Sequence, residues 1–117
     1  MMNTLDAKFI EFMLAEDFHY ASQWVFDEIK NKKDYLAYIA PKLEAIKISG
    51  QRVFAEMAWL DIEFPGPCVV IAQGKKTDVI GLILVQVEHE MIKRIDFCSV
   101  PSPASAKRTG EYPGLTN

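Results

Sequence analysis

Apolar residues recur along this chain with two different periods, and the switches between them mark out its elements. Over residues 4–16, Leu5, Phe9, Phe12 and Met13 fall three and four apart, with Asn3 or Thr4 able to cap and Asp6 in the first turn. That spacing predicts an amphipathic helix. Residues 17–24 lose the period and gather Phe18, Tyr20 and Trp24, as a short strand does. Between 25 and 39, Phe26, Ile29, Leu36 and Ile39 return to helical spacing on either side of the polar break 30–33, predicting two short helices. Pro41 disfavours the helical conformation at Ala40, so the second of these is expected to stop there.

The remainder reads as strands. Residues 42–48 and 52–61 flank Ser49-Gly50-Gln51, a glycine-containing connection of hairpin length. After the breaker Pro65-Gly66-Pro67 come strands at 68–73 and 79–88 around the polar loop 74–78. His89-Glu90 then makes a tight turn into a last strand, 91–99, ended by Pro101 and Pro103. The expected class is α+β, in the order α-β-α-α-β-β-β-β-β, with helices packed on a strongly curved, mainly antiparallel sheet. Residues 1–100 form one domain in this reading, and 101–117, rich in Pro, Ser and Gly, an extended tail.

Composition narrows the partners. The 117 residues are 50% hydrophobic and carry a formal charge of −3, enough apolar mass for one core without a metal or disulfide staple. The mild negative charge lacks the basic footprint of a nucleic-acid binder. The longest apolar runs fall well short of the ~20 residues of a membrane-spanning helix, and the N-terminus lacks a basic signal-peptide region. The expected setting is the cytoplasm, with neither nucleic acid nor membrane as partner. His19, His89, Cys68 and Cys98 are scattered without ligand spacing, so no metal is expected. Gly74-Lys75-Lys76-Thr77 lacks the context of a phosphate loop, and no cofactor is expected. Cys68 and Cys98 read as small buried hydrophobes on strands two spacings apart, roughly 9.6 Å, beyond disulfide reach.

Four segments carry a family likeness: Asp17-Phe18-His19-Tyr20, Val25-Phe26-Asp27-Glu28-Ile29, Val53-Phe54-Ala55-Glu56 and Ile92-Lys93-Arg94-Ile95-Asp96-Phe97. Together with the element order, they make residues 4–101 resemble the nuclear-transport-factor-2-like (NTF2-like) superfamily, which includes SnoaL-like polyketide cyclases and ketosteroid isomerases. The resemblance implies a cone: helices close one side of a bent sheet and leave an apolar pocket whose mouth admits a small molecule. It also implies that an acid in that pocket can donate or accept a proton.

Two carboxylates are candidates for that role. If His89-Glu90 is a two-residue turn, Ile83, Val85 and Val87 stand opposite Asp96, Arg94 and Ile92, so Asp96 sits on an otherwise apolar face. Burial would raise its pKa unless Arg94 on the same face held it ionised. A same-face ion pair without chemistry is the alternative. In 53–60, Phe54, Glu56, Ala58 and Leu60 share one face and Val53, Ala55, Met57 and Trp59 the other. One should line the cone and the other a subunit interface, making Glu56 the second candidate. Tyr20, with Phe18, Ser22 and Trp24 on its face, is expected to point inward. Tyr35 and Tyr38 could close the mouth. The ligand-binding set is then Tyr20, Trp24, Tyr38 and Arg94.

Three functions follow. The first is a dimeric cone domain, joined through its sheet face, that binds a small apolar or aromatic ligand. The second is an acid-base isomerase, dehydratase or cyclase using Asp96 or Glu56. The third is an interaction module with a filled core.

Overall fold

The computed structural model of the chain describes residues 2–23, 27–60, 66–99, 103 and 106–113. In chain order its elements are a one-turn helix α1 (Lys8–Glu11), strand β1 (Leu14–Ser22), helix α2 (Lys32–Ser49) and strands β2 (Val53–Leu60), β3 (Gly66–Gln73), β4 (Val79–Glu88), β5 (Met91–Cys98) and β6 (Ala106–Arg108). One mixed sheet runs β1-β5-β4-β3-β2-β6, with β1 parallel to β5 and the other pairs antiparallel. The class is α+β, one long helix on a sheet. The helix count and the strand set differ from expectation, each for a local reason.

The helix predicted over 4–16 shrinks to α1 because β1 begins at Leu14, which pairs with Ile92. A register shift between Leu14 and His19 breaks the two-residue alternation, so Leu14, Ala15 and Phe18 are all buried. Spacings of one and three mimic a helix in the sequence, while the bulge lets them coexist in a strand.

The two short helices and the strand at 42–48 are replaced by α2, one continuous helix of 18 residues. Residues 27–30 are not helical, and Ile29 instead bridges Tyr20 through two backbone hydrogen bonds of 2.8 and 2.9 Å. Asn31 caps α2 by accepting from the Asp34 N–H at 2.8 Å. Pro41 lies inside the helix and is exposed, as is Ala37, whose carbonyl the proline leaves without its helical donor. Tyr35, Ile39 and Leu43 form the buried stripe on the opposite side. Burying each contributes about 1.5–3 kcal/mol, together more than the roughly 3 kcal/mol an interior proline costs. Gly50, expected in a hairpin, caps the helix instead with φ of 76°, a conformation a side chain would strain.

The β4–β5 hairpin has the expected two-residue turn, with His89 and Glu90 both at positive φ. Val87 faces Ile92 as expected, but the register then slips by one, so Leu84 faces Asp96 and Ile83 faces Phe97. A one-residue slip exchanges the faces of everything beyond it. The sheet's inner face, under α2, therefore carries Ile83, Ile95 and Phe97 together with Tyr20, Val53 and Ile71. Asp96 is on the outer face. So are Ala58, Cys68, Val70, Leu82 and Cys98, which form a second buried cluster. Cys68 and Cys98 lie on β3 and β5 with β4 between them, the expected order, and burial pushes both thiols up.

Within the segment read as a tail, described residues pair with the sheet. Ala106–Arg108 forms β6 against β2, and Ala106 packs on the outer cluster. Farther along, Met57 donates to the Glu111 carbonyl at 2.8 Å. The Asn3 side chain continues this edge, accepting from the Ala55 N–H at 2.6 Å and donating to the Ala55 carbonyl at 2.9 Å. Asn3→Ala strips both partners from a buried backbone position, so it is expected to lower unfolding free energy by about 1–3 kcal/mol in urea titration. Among the described residues, no helix is long and apolar enough to cross a membrane.

Candidate functional site

Between α2 and the inner sheet face the side chains do not close, leaving a cavity of about 330 Å³. Its floor is apolar and buried: Ile71 from β3, Ile39 and Leu43 from α2, Val53 from β2 and Ile95 from β5. Phe97 lines it from β5, and Gly81 makes room for that ring, since a Cβ there would sit 3.1 Å from Phe97 and 2.8 Å from the Cys98 carbonyl. Exposed Lys42 and Ile80 mark where the cavity meets solvent.

Polar groups gather toward β1. Tyr20 and Ser22, two apart on that strand, both line the cavity. The Tyr20 ring lies 5.0 Å from Tyr35 and 5.6 Å from Tyr38, and Tyr35 makes an edge contact with Phe18 at 4.9 Å. Burial pushes the Tyr20 phenol up to about 12, the nearby Tyr38 adding to the shift and the Ser22 hydroxyl opposing it. Burial likewise raises Tyr35 far above the ordinary phenol value. Both are neutral at physiological pH and can donate or accept hydrogen bonds there. Lys42 donates to the Tyr38 hydroxyl at 2.6 Å, with its ammonium 4.6 Å from that ring's centre.

Solved structures share this architecture, three of which illustrate it. An NTF2-like protein of unknown function from Cytophaga hutchinsonii superposes with a TM-score of 0.57 at 13% identity, over 86% of this chain and 82% of that one. A candidate polyketide cyclase from Sinorhizobium meliloti gives 0.55 at 9%, over 82% and 84%. The fold is NTF2-like. A candidate ketosteroid isomerase from Kribbella flavida, at 0.53 and 12%, covers 99% of this chain and 77% of its own. No family model and no curated protein matches the sequence.

Within this NTF2-like cone the expected site residues separate. Tyr20 lines the cavity as expected. Tyr38 stands beside it, holding Lys42, whereas Tyr35 is 1% exposed and belongs to the inner wall rather than the mouth. Trp24 lies outside the described residues.

Arg94 and Asp96 are not in the cavity. Both sit on the outer face, where Arg94 Nε donates to Asp96 at 3.0 Å and Nη1 pairs with Glu28, which also contacts His19 at 3.2 Å. This is the same-face ion pair. The apolar surroundings assumed for Asp96 belonged to the unslipped register.

Glu56 also faces outward, although it is 4% exposed. Its carboxylate accepts from Arg108 Nε at 2.5 Å, the Gly110 N–H at 2.6 Å and the Tyr112 hydroxyl at 3.1 Å. Burial alone would push its pKa up, but these three donors outweigh it and hold the carboxyl below its usual value. The cavity side of β2 is the Val53 face, so Glu56 does not line the cone.

Lys42, Gln73 and Phe97 are lining residues that the sequence reading missed. The signal for Lys42 was present: Tyr35, Ile39, Lys42 and Ile46 keep helical spacing straight through Pro41. Among the described lining residues none is a carboxylate or a histidine.

Proposed function

We propose that this chain binds a small, largely apolar molecule in the cavity between α2 and the sheet. The observation that carries the reading is the cavity itself. Protein interiors pack to the density of organic crystals, and empty apolar volume costs stability, so about 330 Å³ lined by rigid aromatic and branched side chains is a cost that a bound ligand offsets. Its size falls in the range of small-molecule sites, and its few convergent polar groups suit orientation of a ligand. The cyclase and isomerase names of two structural neighbours agree with a ligand-holding cone. The acid-base alternative loses support because Asp96 and Glu56 face the other side of the sheet, and the filled-core alternative loses it to the cavity.

The test is thermal melting with steroid-like, polyketide-like and aromatic small molecules, on the parent and on Ile83→Trp, whose added ring enters the cavity. Ligands are expected to raise the parent's melting temperature and to leave the variant unmoved. A ligand that shifts both equally binds elsewhere and counts against the reading.

We also propose a homodimer through the sheet. Trp59, Val85 and Val87 stand 48%, 40% and 63% exposed on β2 and β4, on the side of the sheet that carries the cavity, where α2 leaves them bare. A second copy would bury them. Light scattering is expected to give twice the 13.3 kDa chain mass, and Trp59→Glu to return the monomer. A parent that stays monomeric at micromolar concentrations contradicts the proposal.

A further inference from the structure

We propose that the molecule held in this cavity is an apolar carboxylate, its acid group at Lys42 on the rim and its hydrocarbon body under α2. The proposal rests on the binding reading above and names the ligand's chemistry.

The charge pattern points there. Among the described residues that line the cavity, Lys42 is the one that carries charge; the rest are apolar or neutral. The raised phenols of Tyr20 and Tyr35 stay neutral and leave that positive charge unopposed. Elsewhere Lys93 pairs with Asp17, Arg94 with Asp96 and Glu28, and Arg108 with Glu56. Lys42, on the rim, is not paired in this way. No carboxylate among the described residues lies within ion-pair distance of it, and its ammonium instead donates to the Tyr38 hydroxyl at 2.6 Å. An ammonium carries three N–H donors, so two remain.

Position matters as much as charge. A carboxylate drawn down to Ile71 or Ile95 would lose its hydration without a partner, a cost of several kcal/mol that drives it back to water. At Lys42, which is exposed, an anion keeps solvent on one side and gains charge-assisted hydrogen bonds on the other. The body then occupies the apolar floor. At ~30 Å³ per displaced water the cavity holds about eleven waters, space for roughly ten to fifteen ligand heavy atoms. A cationic ligand meets like charge at the entrance, and a neutral one leaves the lysine's donors unused.

The test compares naphthalene-2-carboxylate with naphthalene-2-carboxamide, and octanoate with octanamide, by calorimetry on the parent and on K42M, which keeps the apolar stem and removes the charge. In at least one pair the parent is expected to take the acid about tenfold or more tightly than the amide. In K42M that preference should vanish while the amide's affinity holds. Equal affinities within both pairs in the parent, or a preference that survives in K42M, overturns the anionic ligand and leaves the binding reading standing. If none of the four probes binds the parent, both fall together.

Discussion

Arg108→Ala is expected to lower the melting temperature by on the order of 5–10 °C, although Arg108 lies in the segment the sequence marks as a tail. Its partner Glu56 is buried on the outer face of β2, and removing the guanidinium leaves that carboxylate without its charged donor. Breaking a fully buried pair costs about 3–5 kcal/mol. The Arg108 side chain is 34% exposed, so solvent screens part of the loss and about 2–3 kcal/mol is the expected cost. The pH dependence identifies the cause. Glu56's folded pKa is depressed, so its pairing stabilises the parent fully above the unfolded glutamate value of ~4.3 and fades as pH falls through the lower folded value. In the variant, desolvation prevails and the carboxyl protonates earlier on acidification. The gap between parent and variant should therefore be wide at neutral pH and narrow toward pH 4, as thermal melts across that range will show. A gap that stays constant with pH would falsify the ion-pair account.

Pro41→Ala is expected to act in the opposite direction, raising unfolding free energy by about 2 kcal/mol. Alanine restores the N–H that the Ala37 carbonyl lacks and relieves the ring's clash in the helix, a gain of about 3 kcal/mol, less the ~0.4–1 kcal/mol by which proline had restricted the unfolded chain. The site is exposed, so no packing is disturbed. Urea denaturation measures it directly. A chain whose helix ended at Ala40 would show no gain.

These two variants fall where the sequence was least legible. Strand 79–88 and the turn at His89-Glu90 were readable because β-branched runs and a two-residue connection are local signals. The path of α2 through Pro41 was not, since the stripe that overrides the proline gains its energy from contacts with β1 and β5. The face of Asp96 depended on a slip between Gln86 and Val87, a feature with no local signature, and that slip moved the favoured catalytic candidate to the other side of the sheet. Tyr20 was legible because alternation with Phe18 and Ser22 survives on the far side of the β1 bulge. Lys42 was not, because it was assigned to a strand. Burial of Glu56 depends on residues more than fifty positions away, and no pattern within β2 announces them.

The central claim is that the space under α2 is a binding site. Isoleucine methyl NMR during titration with naphthalene-2-carboxamide tests it most directly, because Ile39, Ile71, Ile83 and Ile95 line the cavity from α2, β3, β4 and β5, while Ile48 is 79% exposed near the end of α2. Saturable shifts in the methyls of these four lining residues, with Ile48 unmoved, are the predicted result. Lining methyls that stay fixed while the probe is in excess, or shifts that cluster at Ile48, would contradict it.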